Sequence, residues 1–291
     1  VLRLVIPKGS LERATLALFA EADLAIDRGS EVDYRGRIDD PRVAEVMVLR
    51  PQEIPRYVAE GLFDLGITGR DWIEETGAEV VSLGELHYSK STSRPIRVVL
   101  AVSASSGIER PDQLPNGVRI ATEYPNLARR YLKAHGLEGQ VLVSYGATEA
   151  KIPEIADAVV EITETGRALR AAGLRIVDEL LVSYTELIAN PASASDLKKR
   201  HAMEQLHTLL SGALAARERV LVKLNAPADR LEAIIAELPA MKTPTVSELW
   251  AGSGFAVEAV VPRAVINLLI PSLKDKGATD ILEIPLSKVV P

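Results

Sequence analysis

Asp157-Ala158-Val159-Val160-Glu161-Ile162-Thr163-Glu164-Thr165-Gly166-Arg167-Ala168-Leu169 passes from an apolar segment carrying two acids, through a turn of hydroxyls and one glycine, into a helical pattern. Strand, glycine turn and helix in that order are the building unit of an α/β sheet. Thr163, Thr165 and the amides around Gly166 can donate to phosphate oxygens where unpaired N–H groups and the helix dipole favour an anion. Asp157 and Glu161, four residues apart, leave a strand on the same face and can hold two ribose hydroxyls or a metal bound to them. The stretch therefore reads as a sugar-phosphate cradle. The same spacing also describes an ordinary strand–turn–helix with solvated acids, and Glu164 inside the turn argues against a phosphate.

Upstream, apolar runs at Leu2–Ile6, Val46–Leu49, Leu65–Thr68 and Glu79–Leu83 alternate with helical patterns at Ser10–Ala22 and Glu53–Glu60, which predicts a parallel-rich sheet. A second α/β unit has strands at Val98–Val102, Arg119–Thr122, Gln140–Tyr145 and Ala158–Ile162, and helices at Asn126–His135 and Glu149–Ala156, the first closed by Gly136. Thr185–Asn190 reads as a strand returning to the first sheet, so that two lobes joined by more than one crossing face a cleft. The expected division is residues 1–97 with about 185–211 as lobe I, 98–184 as lobe II, and 212–291 as a separate domain.

Beyond Pro191, Ser193-Ala194-Ser195-Asp196 precedes a long helix with apolar positions at helical spacing. Strands at Val220–Leu224, Thr245–Leu249, Phe255–Val261 and Asp280–Leu286, with helices at Ala228–Leu238 and Arg263–Lys276, give the order βαββαβ of a ferredoxin-like unit. No internal repeat is visible in the sequence.

The 291 residues, 47% hydrophobic and 25% charged, describe an ordinary globular chain with a substantial core. Absence of cysteine excludes disulfides, thiolate metal sites and a cysteine nucleophile, and fits a cytoplasmic protein. Val1–Pro7 is too short for a signal h-region, and no apolar run approaches the roughly 20 residues of a membrane span. A net charge of −6 argues against nonspecific nucleic-acid binding, so a polyanionic ligand must meet local cations. His201 and His207, six apart on the long helix, do not form a same-face metal pair.

Such cations lie at strand ends. Pro7-Lys8-Gly9-Ser10 places an ammonium, a glycine and a hydroxyl between the first strand and helix, and Gly66-Ile67-Thr68-Gly69-Arg70-Asp71 repeats that pattern. Arg50 follows an apolar run and precedes Pro51. In Arg119-Ile120-Ala121-Thr122-Glu123-Tyr124-Pro125-Asn126-Leu127, Asn126 can cap the next helix, while Tyr124 can stack on a flat ring or serve as a buried core tyrosine.

Together with Leu49-Arg50-Pro51, Asp64–Asp71 and the run from Glu149 to Leu169, these motifs resemble the ATP phosphoribosyltransferase family along essentially the whole chain and in the family's order. The resemblance implies two lobes arranged like a type II periplasmic binding protein, followed by the regulatory, ACT-like domain of the long form. It implies the first step of histidine biosynthesis, in which N1 of the ATP adenine attacks the anomeric carbon of phosphoribosyl pyrophosphate and expels pyrophosphate with Mg²⁺. By the same resemblance Thr163, Glu164, Thr165, Gly166, Arg167 and Ala168 take the 5′-phosphate, and Asp157 and Glu161 lie near the ribose. Lys8, Gly9, Arg50 and Asp71 line the region shared by pyrophosphate and nucleotide, Tyr124 contacts the adenine side, and Glu149 is the best candidate for an acid close to the reacting centre. No protein-held metal is expected, the ion arriving on the substrate pyrophosphate.

The family's turn usually reads Ser/Thr-Gly-x-Thr-Leu, whereas this chain has Thr165-Gly166-Arg167-Ala168-Leu169. One hydroxyl is missing, which predicts weaker phosphoribosyl pyrophosphate binding unless Arg167 or an amide compensates. The long form is further implied to be inhibited by histidine, at positions matching Asn225, Thr245, Val260 and Asp280, and to pass between dimers and hexamers. Two rivals keep the same patterning: a two-lobed small-molecule sensor without turnover, and a regulatory scaffold.

Overall fold

The computed structural model describes residues 1–30, 32–89 and 94–291, which divide into two compact units, Val1–Ala20 with Leu24–His207, and Glu21–Asp23 with Thr208–Pro291. In the first unit the chain runs β1 (Leu2–Pro7), α1 (Glu12–Glu21), β2 (Ile26–Asp27), β3 (Arg35–Ile38), β4 (Val43–Leu49), α2 (Ile54–Ala59), β5 (Leu65–Gly69), α3 (Arg70–Thr76) and β6 (Val81–Leu86). It continues with β7 (Ile96–Ser103), β8 (Val118–Thr122), α4 (Pro125–Ala134), β9 (Gly139–Val143), β10 (Ala158–Thr163), α5 (Arg167–Ala171) and β11 (Leu174–Ser183), then returns as β12 (Thr185–Ala189) and leaves through α6 (Pro191–Ser195) into α7 (Leu197–Arg217).

These strands form two sheets, in the orders β2-β3-β4-β1-β5-β12-β6 and β11-β7-β10-β8-β9. Set side by side, β4-β1-β5-β12-β6 and β9-β8-β10-β7-β11 are the same arrangement. In each, a first strand lies between the second and third, and an antiparallel strand contributed by the crossing chain separates the third from the fourth. This is the type II binding-protein lobe, present twice, although the sequence shows no self-similarity. Strands β6 to β7 and β11 to β12 make the two crossings, and β12 returns to the first sheet as expected, where it lies between β5 and β6.

Burial explains the strand assignments. Leu4, Val5 and Ile6 of β1 and Val98–Val102 of β7 are fully buried, as expected of strands covered on both faces. The lobe II core joins Val98, Leu100, Ile120, Val160, Leu127 and Tyr131, so the apolar stripe of α4 covers one sheet face. Gly136 closes α4 at φ +63°, with Leu137 N–H donating to Leu132 O at 2.9 Å. Two expectations are corrected. The helix anticipated at Glu149–Ala156 is only a 3₁₀ turn, Thr148–Lys151, because Pro153 lacks a donor and restrains its predecessor. Asn126 is not the cap of α4; the helix begins at Pro125 and its amides are met from the other lobe.

The second unit carries β13 (Arg219–Ala226), α8 (Leu231–Glu237), β14 (Thr245–Glu248), β15 (Phe255–Pro262), α9 (Ile266–Asp275) and β16 (Thr279–Pro285). Its antiparallel sheet, β14-β15-β13-β16, is the ferredoxin-like order. Val220, Val222, Leu224, Val257, Ala259 and Val261 pack with Ile234, Leu269 and Leu273 of the two helices.

Candidate active site

In a parallel sheet the helices start at the carboxyl ends of the strands, and ligands collect where successive crossovers diverge to opposite sides. In lobe I that point is β1, flanked by β4 and β5. Because Pro7 pairs with Leu49, and Lys8 N–H donates to Leu49 O at 2.7 Å, Lys8 and Arg50 emerge side by side. Arg50 is exposed, and the Lys8 ammonium lies 3.8 Å from the centroid of the Tyr34 ring, an aromatic face that holds the cation without consuming its hydrogen-bond donors. Gly9 turns the chain at φ +94°, and its N–H donates to Glu12 Oε2 at 3.1 Å, so the turn ahead of the helix is tied to the helix's first side chain.

In lobe II the corresponding ends are those of β8 and β10, in register through Thr122 and Val160. Glu161 therefore stands next to Glu123. Burial first, and then the like charges of Glu123 and Glu149, hold the Glu161 carboxyl above its ordinary range, against hydrogen bonds from the Ile162 amide and Thr148. The three carboxylates share one edge. Glu123 is a member that sequence reasoning missed; its position directly after an apolar strand, the counterpart of Lys8 after β1, was the available signal.

The turn after β10 folds on itself. Thr163 Oγ1 accepts from Gly166 N–H at 2.7 Å, Thr165 Oγ1 from Arg167 N–H at 3.4 Å, and Arg170 Nη2 donates to Thr165 O at 2.9 Å. Gly166 takes φ +72°, and a Cβ there would lie 2.7 Å from Arg170 Nη1 and 3.2 Å from Ile176 Cδ1. Arg167 and Ala168 are exposed in the first turn of α5, and Glu164 is turned toward Ser89, whose hydroxyl donates to Glu164 Oε1 at 2.6 Å. The acid that argued against an anion is thus engaged by the crossing segment.

Three expected site residues stand elsewhere. Asp157 precedes β10, at the sheet edge opposite Thr163. Its carboxylate takes the Arg119 guanidinium at 2.8 Å and the Arg119 amide at 2.9 Å, so it ties two strand starts together and does not share a ribose with Glu161. Tyr124 is 2% exposed; its hydroxyl donates to Asp71 Oδ2 at 2.7 Å and its ring stacks on Trp72 at 4.4 Å, which corrects the adenine-stacking role in favour of the core alternative. Asp71, also 2% exposed, accepts in addition from Ser183 Oγ at 2.7 Å, and burial pushes its carboxyl up despite these two donors. It lies so close over Gly69 that a Cβ there would meet Asp71 Oδ1 at 2.1 Å. In lobe I the turn after the third strand is filled by the chain's own carboxylate.

In the second unit Asn225 Nδ2 donates to Asp280 Oδ2 at 2.9 Å, which brings those two residues together. Val260 pairs with Leu221, and Thr245 with Glu258, on the sheet face turned away from the helices. Val260 stands four residues along β15 from Ala256, the partner of Asn225, a spacing of about 13 Å.

The family model described as ATP phosphoribosyltransferase matches residues 50–212, and that described as HisG, C-terminal domain, matches residues 216–288. Curated proteins named ATP phosphoribosyltransferase resemble the chain end to end. The one from Pelotomaculum thermopropionicum is 47% identical over 290 residues, covering 100% of this chain and 99% of its own. That from Desulforudis audaxviator is 48% identical over 292 residues with the same coverage. Among solved structures, the ATP phosphoribosyl transferase (HisG:HisZ) complex from Thermotoga maritima contains a chain 28% identical with a TM-score of 0.61, aligned over 72% of this chain and 98% of that one.

Proposed function

Since the chain belongs to the ATP phosphoribosyltransferase family, we propose that its two facing sets of strand-end turns seat the two substrates of that family's reaction, one set to each lobe. The reaction condenses ATP with phosphoribosyl pyrophosphate and opens histidine biosynthesis. Because the matches run the length of the chain to enzymes, the sensor and scaffold alternatives are set aside.

The observation that carries the assignment is the pair of equivalent carboxyl edges, cationic in lobe I, and acidic with a hydroxyl-bearing turn in lobe II. Thr165, the first-turn amides of α5 and Arg167 receive the 5′-phosphate, with Gly166 permitting the close approach. Glu161 takes ribose hydroxyls, and Glu149 and Glu123 stand beside it. Lys8, Gly9 and Arg50 receive the phosphate groups of nucleotide and leaving pyrophosphate. Little is asked of a side-chain nucleophile. The barrier lies in parting the diphosphate from a ribose carbon that becomes cationic, so fixed cations at one end and carboxylates at the other, with rigid placement of both reactants, supply the catalysis.

Among the described residues no three acidic or histidine side chains converge as a cage for a metal. The carboxylate edge still suits a hard cation carried on substrate oxygens, and Glu161, Glu149 and Glu123 would face it. Magnesium brought on those substrate oxygens would neutralise charge on the leaving group. Feedback by histidine, assembly into dimers and hexamers and a cytoplasmic setting belong to the same reading. Asn225 and Asp280 are the positions best joined to form part of an inhibitor site.

Pyrophosphate release from ATP, phosphoribosyl pyrophosphate and Mg²⁺, measured with and without histidine, tests the reading. Release that needs both substrates and falls with histidine is expected. Release indifferent to histidine would remove the regulatory assignment, and no release would remove the catalytic one.

A further inference from the structure

The first amides of a helix have no internal acceptors and sit at the positive end of its dipole. The sequence around the start of α4 supplies no capping side chain: Tyr124 precedes the helix without capping it, and Pro125 occupies the first position. The acceptors come from lobe I. Glu75 Oε1 takes Asn126 N–H and Oε2 takes Leu127 N–H, each at 2.9 Å, and Asn126 Nδ2 returns a bond to Glu75 O at 3.0 Å. Glu75 is 6% exposed, so water competes little for these bonds.

Asp71 lies four residues earlier on α3, on the same helix face, and holds Tyr124 and Ser183, while Trp72 stacks on Tyr124. One short helix therefore carries a carboxylate for the helix start, a carboxylate for the tyrosine and a ring for its face. The grip brackets Glu123, because Tyr124 N–H donates to buried Thr122 Oγ1 at 2.8 Å, and Glu123 lies between those two residues. The carboxyl edge of β8, and with it the spacing between Lys8 and Arg50 on one lobe and Glu161 and the Gly166 turn on the other, is set at this joint.

We infer that Glu75 is a positioning residue for the reaction: by holding the start of α4 from the opposite lobe, it fixes the relative placement of the two substrates. The inference rests on the substrate assignment above. A nucleophile and an anomeric carbon held on different lobes react only at near-contact distance. Loosening the joint should therefore lower turnover while leaving intact the affinity of a ligand that touches lobe II alone. Ribose 5-phosphate, which has the phosphate and ribose but no leaving group, is such a ligand.

The full-length protein and its Glu75→Ala, Glu75→Gln and Asn126→Asp variants would be compared by pyrophosphate release and by calorimetric titration with ribose 5-phosphate. Glu75→Ala is expected to lose about ten- to hundredfold in kcat, the scale of a small misplacement of reactants, with unchanged ribose 5-phosphate affinity. Glu75→Gln, which keeps one acceptor, should recover part of the loss. Asn126→Asp turns the donor facing Glu75 into an acceptor on an exposed position and should show the same split; it decides the matter if Glu75→Ala does not fold. Unchanged kcat in a folded variant, or ribose 5-phosphate affinity falling in step with kcat, would overturn the role of Glu75. Absence of release by the unmodified protein would instead overturn the reaction on which the role rests.

Discussion

Replacing Asp64 by asparagine should destabilise the first unit by about 2–3 kcal/mol, the scale of one strong charge-assisted hydrogen bond. Asp64 is 2% exposed and accepts from the Arg3 amide at 2.8 Å, Ser193 Oγ at 2.6 Å and Lys199 Nζ at 2.7 Å. It thereby joins the start of β1 to the α6–α7 elbow. Removing one member of a fully buried pair costs about 3–5 kcal/mol. Here the Lys199 side chain is 34% exposed and can rehydrate, and asparagine retains an acceptor, which brings the figure down. At about 2–4 °C per kcal/mol for chains of this size, the melting temperature should drop by about 4–12 °C at neutral pH. Burial pushes the Asp64 carboxyl up, but the bonds from Lys199, Ser193 and Arg3 outweigh it and hold the group below its usual range. Its stabilisation is therefore present at neutral pH and is lost as pH falls through that lowered value, so the gap between the two proteins must close in acid. Melting followed by circular dichroism across that range is the assay. Equal melting temperatures at neutral pH, or a gap that persists undiminished below the carboxylate range, would refute the reasoning.

Three further variants have expected outcomes. Gly166→Ala forces a side chain into φ +72° and against Arg170, and at about 1–2 kcal/mol for the left-handed conformation should raise KM for phosphoribosyl pyrophosphate roughly tenfold in the pyrophosphate-release assay. Ala168→Thr restores a hydroxyl to the first turn of α5 and should lower the same KM roughly tenfold, as one more bond to a charged phosphate would; an unchanged KM would show that Arg167 or an amide already serves. Because burial and its acidic neighbours raise the Glu161 carboxyl, the acid limb of the kcat/KM profile should lie above the ordinary carboxylate range and vanish in Glu161→Gln. The same variant should melt no lower than the unmodified protein at neutral pH, any advantage disappearing in acid where Glu161 is protonated in both folded and unfolded chains.

Much of this molecule is legible from residue order because glycines and apolar runs report local conformation. The turns at Gly9 and Gly166, the closure of α4 by Gly136 and the return of Thr185–Ala189 into the first sheet follow from such signals. Strand β11 escaped because its register shifts between Ile176 and Asp178 and again between Glu179 and Leu181, which destroys the two-residue alternation that marks a strand. Asp157 was grouped with Glu161 by same-face spacing alone, which does not distinguish the two ends of a strand. Glu75 left no local trace, since the amides it holds are 51 and 52 residues away. The resemblance assigns Tyr124 and Asp71 to substrate, whereas in the structure their hydroxyl and carboxylate bond each other.

The doubled lobe has a consequence for the direction in which a ligand enters. Both lobes present a turn after their third strand, but the side chain that crowds the one at Gly69 is the carboxylate of Asp71, whereas the one that crowds Gly166 is the guanidinium of Arg170. A sugar phosphorylated at both ends would otherwise find two pseudo-equivalent berths and could lie either way round. On the substrate assignment proposed above, a carboxylic acid at one berth and a guanidinium at the other favour the arrangement that puts the monophosphate at Gly166, and the molecule's own symmetry is broken in favour of a single reading frame for its substrate.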